Sequence, residues 1–318
     1  MCGAMTWVSD FKLIGAIGEA GGFGFLAGGN APVEFLEKEI IATRAYTDKP
    51  FGVNLITIAP VYKEQLQLVC DLKCEIVMFA GSIPKEPEIK KVKDTGAKVI
   101  CFAPTTPLAL RLIKMGADAL MLEGSEAGGH IGPVTLTVLL QQILFEVDSV
   151  PIFVAGGIAT GRMMAHLLMM GAKGIQMGTC FVMAEECKAH SKFKAAFQKA
   201  KARDAIATPQ FDSRLPVIPV RALKNESTFE FNKLQLELVK KLENKLIDQQ
   251  NAQYEVENFW VGALRDAAVD GNVQRGSLMA GQSVGLVDEI KPIKEIIDEM
   301  VNDAEAELQR LNRIFNQS

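Results

Sequence analysis

The sequence predicts an α/β fold: a (β/α)8 TIM barrel with a truncated or vestigial first strand and a small helical cap near the C-terminus. Three observations predict it. Short apolar runs recur at residues 22–29, 51–57, 74–81, 98–104, 119–124, 151–157 and 174–181. They are continuous rather than alternating and rich in Val, Ile, Phe and Leu, as strands covered on both faces are. Helical patterns fill the gaps, so a strand and its crossover helix recur about every 20 to 30 residues. Regular spacing over seven such units favours a closed barrel over an open sheet.

Each element has its local reason. The helix in "APVEFLEKEIIATRA" is expected to open with Asn30 as cap and Pro32 in its first turn. "PTTPLALRLIKMGA" and "TGRMMAHLLMMGA" both end in Met-Gly-Ala, where glycine stops a helix before the next strand. Only "MCGAM" precedes the helix of "DFKLIGAIGEAGG". Either the first strand is vestigial or the natural start lies upstream, and a shortened strand is the favoured reading. After residue 182 the rhythm changes. "ECKAHSKFKAAFQKAKARDA" reads as helical and "TPQFDSRLPVIPVRALKN" as irregular. Residues 227–247 and 250–269 read as helices, "QRGSLMAGQSVGLV" as a Gly-rich loop, and 291–315 as a polar terminal helix. The expected division is a barrel of residues 1–204 and 275–318, with residues 205–274 as a helical cap over the substrate side.

Composition narrows the function classes. The 318 residues are 48% hydrophobic and 23% charged, with a net charge of −4. That is ordinary for a globular protein, and the lack of a basic patch argues against nucleic acid. The charge clusters "EIKKVKDTGAK" and "KFKAAFQKAKARD" read as solvated helix faces. Six cysteines sit mostly in apolar runs, with no CxxC pair and no zinc spacing, so no metal is expected. Free cysteines fit a reducing cytoplasm. No signal peptide and no bilayer-spanning run is apparent, so no membrane partner is expected.

The active site of such a barrel lies at the C-terminal ends of its strands. Those ends carry Gly28-Gly29-Asn30, Asn54, Glu123, Gly128-Gly129-His130, Gly156-Gly157, and Gln176 with Gly178 and Thr179. Glycine lets backbone N–H groups approach an anion, and the loops after the last two strands are the usual phosphate site. "GGIATGR" also leads into a helix, whose N-terminus favours negative charge. A phosphate-bearing cofactor is one reading; glycines that merely make tight turns are the other. His130 is one of three histidines, on the functional face and directly after two glycines. It is either a proton-exchanging group near neutral pH or an exposed loop residue. His166, in an apolar helix, reads as structural, and His190 carries no functional expectation. The Met-rich helix reads as core, and Glu123 and Glu126 need not face each other.

The motifs "EGSEAGGHIG", "VPIFVAGGIATGR" and "GAKGIQMGTCFVMAEE" together resemble the FMN-dependent barrels that include nitronate monooxygenase and enoyl-acyl-carrier-protein reductase II. The resemblance extends through "GGFGFLAGGNAP", "TDKPFGVNL", "VRALKN" and "GSLMAGQSVGLV". It implies FMN, with its phosphate near Gly157 and the run Gln176, Met177, Gly178 and Thr179. It implies further flavin contacts at Gly3, Ala4, Met5, Asn54, Glu123 and Gly128, and from the returning loop at Gly281 and Gln282. Glu123 departs from the Gln that many nitronate monooxygenases carry. The family histidine maps onto His130. Two activities are implied. In one, NADH or NADPH reduces the flavin, which reduces an enoyl thioester while His130 delivers a proton. In the other, a nitronate is oxidised with O2. A small-molecule or acyl-carrier-bound substrate follows, with a homodimer left open. The reductase branch is favoured slightly, and a flavin-binding barrel without activity remains a third reading, motivated by the short N-terminus.

Overall fold

The computed structural model describes residues 1–316. In chain order it begins with α1 (Phe11–Glu19), β1 (Phe25–Ala27), α2 (Val33–Tyr46), β2 (Gly52–Ile56), α3 (Tyr62–Asp71) and β3 (Ile76–Ala80). Then come α4 (Glu86–Lys93), β4 (Lys98–Phe102), α5 (Thr106–Lys114), β5 (Ala119–Glu123) and β6 (Gly129–His130). The short α6 (Leu136–Leu139) runs into a π-turn at Leu140–Leu144 before β7 (Ile152–Ala155), α7 (Gly161–Met169), β8 (Gly174–Gln176) and α8 (Thr179–Val182). The remainder is α9 (Ser191–Lys199), β9 (Ala205–Ala207), β10 (Val220–Leu223), α10 (Glu226–Glu243), α11 (Gln249–Ala268) and α12 (Ile293–Phe315).

Seven parallel strands form one sheet in the order β1-β2-β3-β4-β5-β7-β8. The first barrel strand is vestigial, as expected. Cys2 bridges Gly24 on one side and Met177 on the other, both in parallel sense. Its N–H donates to Phe23 O at 2.7 Å, and the Gly3 N–H donates to Met177 O at 2.9 Å. Three residues thus do the work of a strand and close the sheet into a barrel.

Phe25, Met78, Ile100, Ala119, Met121 and Ala155 pack together as one buried cluster, a set drawn from the strands. These side chains fill the barrel interior, so any cavity must open at its end rather than run through it. A larger core joins strands to the surrounding helices. The apolar runs are continuous because the strands are packed on both faces.

Local chemistry starts and stops the helices. Asp10, Thr105 and Thr160 cap α1, α5 and α7 through side-chain oxygens that accept a first-turn N–H. Past α5 and α7, the Ala117 N–H returns to Leu112 O and the Ala172 N–H to Leu167 O, with Gly116 and Gly171 at the stops. The start of α2 differs from expectation. Pro32 is the residue before the helix and no side chain caps it, so Asn30 is not the cap. The run 174–181 also splits: it is strand only through Gln176, and from Thr179 it turns into α8.

A second sheet, order β6-β10-β9, was not legible in the sequence. It forms from "GH", "VRAL" and "AIA", the last two falling within the stretch between 205 and 274. In the same stretch, Leu215, Val217, Val220, Phe231, Leu238, Ala252, Val256 and Trp260 make their own buried cluster around α10 and α11. Among the described residues no helix is long and apolar enough to cross a membrane.

Candidate active site

A cavity of about 700 Å³ opens at the C-terminal ends of the strands. That volume lies within the usual range of small-molecule sites. Of the residues singled out in the sequence, the cavity gathers Gly3, Ala4, Met5, Asn54, Glu123, Gly128, His130, Gly157, Gln176, Met177, Gly178, Thr179 and Gly281 in its lining. Gln282 is not in the lining; its backbone N–H donates to Glu126 O at 2.9 Å. The vestigial first strand therefore still delivers Gly3, Ala4 and Met5 to the site.

His130 does not sit in a free loop. It belongs to β6, which pairs antiparallel with β10 so that His130 faces Val220 and Gly129 faces Arg221. The next residue, Ile131, donates its N–H to Pro219 O at 2.9 Å. Buried Arg221 fastens the approach: its Nε donates to Ser125 O at 2.9 Å and its guanidinium to Ala205 O at 2.6 Å. Two strands and one arginine thus hold the backbone of the histidine. Its Nε2 lies 3.3 Å from Oε2 of Glu257, a buried carboxylate on α11.

Glycine matters most at 128. A Cβ there would lie 2.6 Å from Ala280 C and from Gly281 N, closer than real side chains come. The returning segment 280–282 passes directly over this bare backbone, and the Gly281 N–H donates to Thr179 Oγ1 at 3.1 Å. At Gly156 and Gly157 the need is conformational, with φ of 96° and 71°. Both sit where β7 ends, beside the cavity.

Two polar side chains face the cavity in an unsettled state. Gln176 Oε1 is buried without a hydrogen-bond partner among the described residues. Glu123 ends β5, and burial pushes its carboxyl up to about 8. Burial is the sole cause of that shift, and no charged neighbour among the described residues offsets it. Desolvation without a compensating charge favours the neutral acid. Glu126, three residues on, turns away: its carboxylate accepts the Leu136 N–H at 3.0 Å. The two carboxyls are not a pair.

The helix after "GGIATGR" behaves differently from expectation. None of residues 159–162 lines the cavity, and Asp303 of α12 accepts the Arg162 N–H of its first turn at 2.7 Å. The anion-binding capacity of that end is used inside the fold. His166 joins the same junction, with its Nε2 2.9 Å from Glu307 Oε1. His190 accepts the Lys192 N–H at the start of α9 and lies outside the cavity lining. Among the described residues no group of three or more His, Cys, Asp or Glu side chains is placed to hold a metal ion.

Glu257 escaped the sequence reading, although a signal was present. It sits on the buried stripe of α11, beside Val256, one turn before Trp260 and two turns before Leu264. A carboxylate at an apolar position of a helix needs a partner, and the partner here comes from a strand more than a hundred residues away.

Comparison with known proteins gives a consistent picture. The model of a family described as nitronate monooxygenase matches residues 1–65 and 57–303. FabK from Thermotoga maritima superimposes with a TM-score of 0.85 at 36% identity, covering 98% of this chain and 94% of that one. The 5-hydroxy-7a-methyl-1-oxo-octahydro-1H-indene-4-carboxyl-CoA dehydrogenase of Mycobacterium tuberculosis is 30% identical over 96% of this chain and 92% of its own. A protein of Staphylococcus saprophyticus named "Probable nitronate monooxygenase" is 27% identical over 87% of this chain and 86% of its own.

Proposed function

The chain belongs to the nitronate monooxygenase family and is a flavin-dependent oxidoreductase, and from that premise we propose that it reduces an activated C=C bond. The substrate would be an enoyl thioester, the cofactor FMN and the electron donor NADH or NADPH. The observation that carries this reading is the two-sided cavity. The β5, β7 and β8 side contributes Gly128, Gly157, Gln176 and Gly178, and the β2 to β4 side contributes the apolar Ile56, Ile83, Phe102 and Leu108.

The residues present fit FMN. Gln176 offers a buried, unpartnered Oε1, and Gly128 leaves a bare backbone that a Cβ would fill. Gly157, Gln176, Gly178 and Thr179 would hold the phosphate, and Asn54 and Gly3 the flank of the ring system. Bound FMN supplies a hydride acceptor and donor, which no side chain can. Glu123, whose carboxyl burial pushes up to about 8, lines the cavity at the end of β5 and would offer a bound ligand a proton to hydrogen-bond. His130 stands at the substrate side and delivers a proton to the carbon next to the thioester carbonyl. The apolar wall excludes water and receives the acyl chain. Residues 205–274 act as the cap that completes this wall, through Val217, Ile218, Pro219 and Leu264.

The thioester reading draws support from two relatives: FabK at 36% identity and a dehydrogenase whose name carries a carboxyl-CoA group. The second reading is nitronate oxidation with O2, favoured by the family name itself. There His130 would take the substrate proton or bind the nitro group.

Anaerobic mixing separates the two. Rapid bleaching of the flavin by NADH or NADPH, followed by reoxidation with an enoyl thioester, is the expected result. Bleaching by an alkyl nitronate alone would move the assignment to the monooxygenase. Bleaching by neither would overturn both readings.

A further inference from the structure

We propose that Glu257, on the cap helix α11, is the positioning residue for His130. Its carboxylate accepts the Nε2–H of the imidazole, fixes the ring and its tautomer, and leaves Nδ1 to take up a proton from solvent and pass it to the substrate. The inference rests on the reading of His130 as the proton-handling side chain.

The geometry is specific. Glu257 Oε2 lies 3.3 Å from His130 Nε2, with the glutamate side chain 10% exposed and the histidine 30%. That ring nitrogen is itself buried, and no group among the described residues meets it in hydrogen-bond alignment. A buried donor without a partner is costly, so the ring and carboxylate gain by closing on each other.

The surrounding charges are committed elsewhere. The Arg221 guanidinium, on the strand beside His130, is spent on Ser125 O and Ala205 O. Glu126 is spent on the Leu136 N–H. Glu123 stands at the end of β5, where burial pushes its carboxyl up to about 8. No Lys or Arg among the described residues forms an ion pair with Glu257, so His130 is its counterpart. A buried carboxylate that lacks a cation is expensive, which gives the pair a reason to persist.

The helix that carries Glu257 is anchored at the same level. Trp7 Nε1 donates to Val261 O at 3.2 Å. Val261 lies one turn beyond Glu257, and Leu264, one turn further, lines the cavity. One face of α11 therefore touches the loop after the vestigial strand, the cavity and the histidine. The β6–β10 pairing fixes the backbone of His130 but not its ring. The carboxylate supplies the missing constraint. The two ring nitrogens are not equivalent, and the bond made by one decides what the other can do. A carboxylate in this place keeps the imidazole oriented during turnover.

The test uses flavin-loaded protein labelled with nitrogen-15 in its histidines. With three histidines in the chain, the spectrum of His130→Ala assigns the relevant signals by loss. In the wild type, His130 is expected in a single Nε2–H tautomer. A dominant Nδ1–H tautomer in the wild type would overturn the proposal without any variant. Glu257→Met keeps the chain length and removes the acceptor. It is expected to mix the tautomers and lower kcat roughly tenfold to a hundredfold, with the flavin spectrum retained. Glu257→Gln keeps a neutral acceptor and should restore much of the tautomer preference. Unchanged tautomer and unchanged kcat in Glu257→Met would sink the proposal. The underlying reading fails separately: it falls if His130→Ala keeps full turnover, whatever the spectra of the Glu257 variants.

Discussion

Two histidines of this chain each face a buried glutamate, and the contrast between them separates function from architecture. His166 Nε2 lies 2.9 Å from Glu307 Oε1, closer than the 3.3 Å between His130 and Glu257. The shorter distance is not the more interesting one. Glu307 also accepts two hydrogen bonds from Arg310 and lies 3.3 Å from Arg162 Nε. Arg310 holds its carboxyl down to about 2. With two arginines already in place, His166 is a third partner in a clasp between α7 and α12. Glu257 has His130 alone, at the wall of a cavity. A histidine counts toward chemistry when its partner depends on it and its other edge meets open space. Distance alone does not rank the two.

Three substitutions can break or sharpen that comparison. The largest effect is expected at Glu123, which sets the electrostatics of the cavity. Its folded carboxyl is raised to about 8, so the folded protein keeps a proton that the unfolded chain releases. Stability should therefore fall as pH rises from the ordinary carboxylate range through about 8. Glu123→Gln cannot ionise. In cofactor-free protein its advantage over the wild type should grow across that window, from the ordinary 4.5 to about 8, to at most about 5 kcal/mol at about 1.4 kcal/mol per pH unit. Thermal melts at about pH 5 and about pH 9 check the sign. An advantage that shrinks as pH rises would contradict the burial argument.

Next comes Gly128→Ala, which places a methyl group 2.6 Å from the backbone at Ala280 and Gly281. Displacing that segment should cost about 1–3 kcal/mol, as overpacking does. Because the segment passes over the cavity, flavin retention should fall with stability. Calorimetry and the flavin content of the purified variant read both. The smallest effect is expected from His166→Ala. Turnover should stay at the wild-type level, and Tm should fall by no more than about 2 °C, as for a partly exposed pair in a chain of this size.

Legibility in the sequence followed the range of the interactions. The parallel strands were readable because burial on both faces leaves a continuous apolar run at each one. The glycine stops at 116 and 171 were readable because helix ends are decided within one turn. Asn54, Glu123, Gly128, His130, Gly157, Gln176, Gly178 and Thr179 followed from the rule that function gathers at the C-terminal ends of barrel strands, whereas Gly3, Ala4, Met5, Met177 and Gly281 followed only from the family resemblance. What failed was long-range or short in extent. Strands of two to four residues, such as "GH" and "VRAL", carry too little pattern to be seen before they pair. The helix after "GGIATGR" looked free to bind an anion, but Asp303 reaches its first turn from a terminal helix 141 residues away. Asn30 looked like a cap, yet Pro32 holds the capping position and no side chain caps the helix. Glu257 was visible only as a charge on an apolar stripe, and nothing local names His130 as its partner.

The account stands on His130 as the group that handles the proton. The direct measurement is turnover of His130→Ala with its flavin spectrum recorded on the same sample. Retained flavin with kcat lowered roughly a hundredfold or more is the predicted result, the scale of a lost general acid. Retained flavin with wild-type kcat would contradict it.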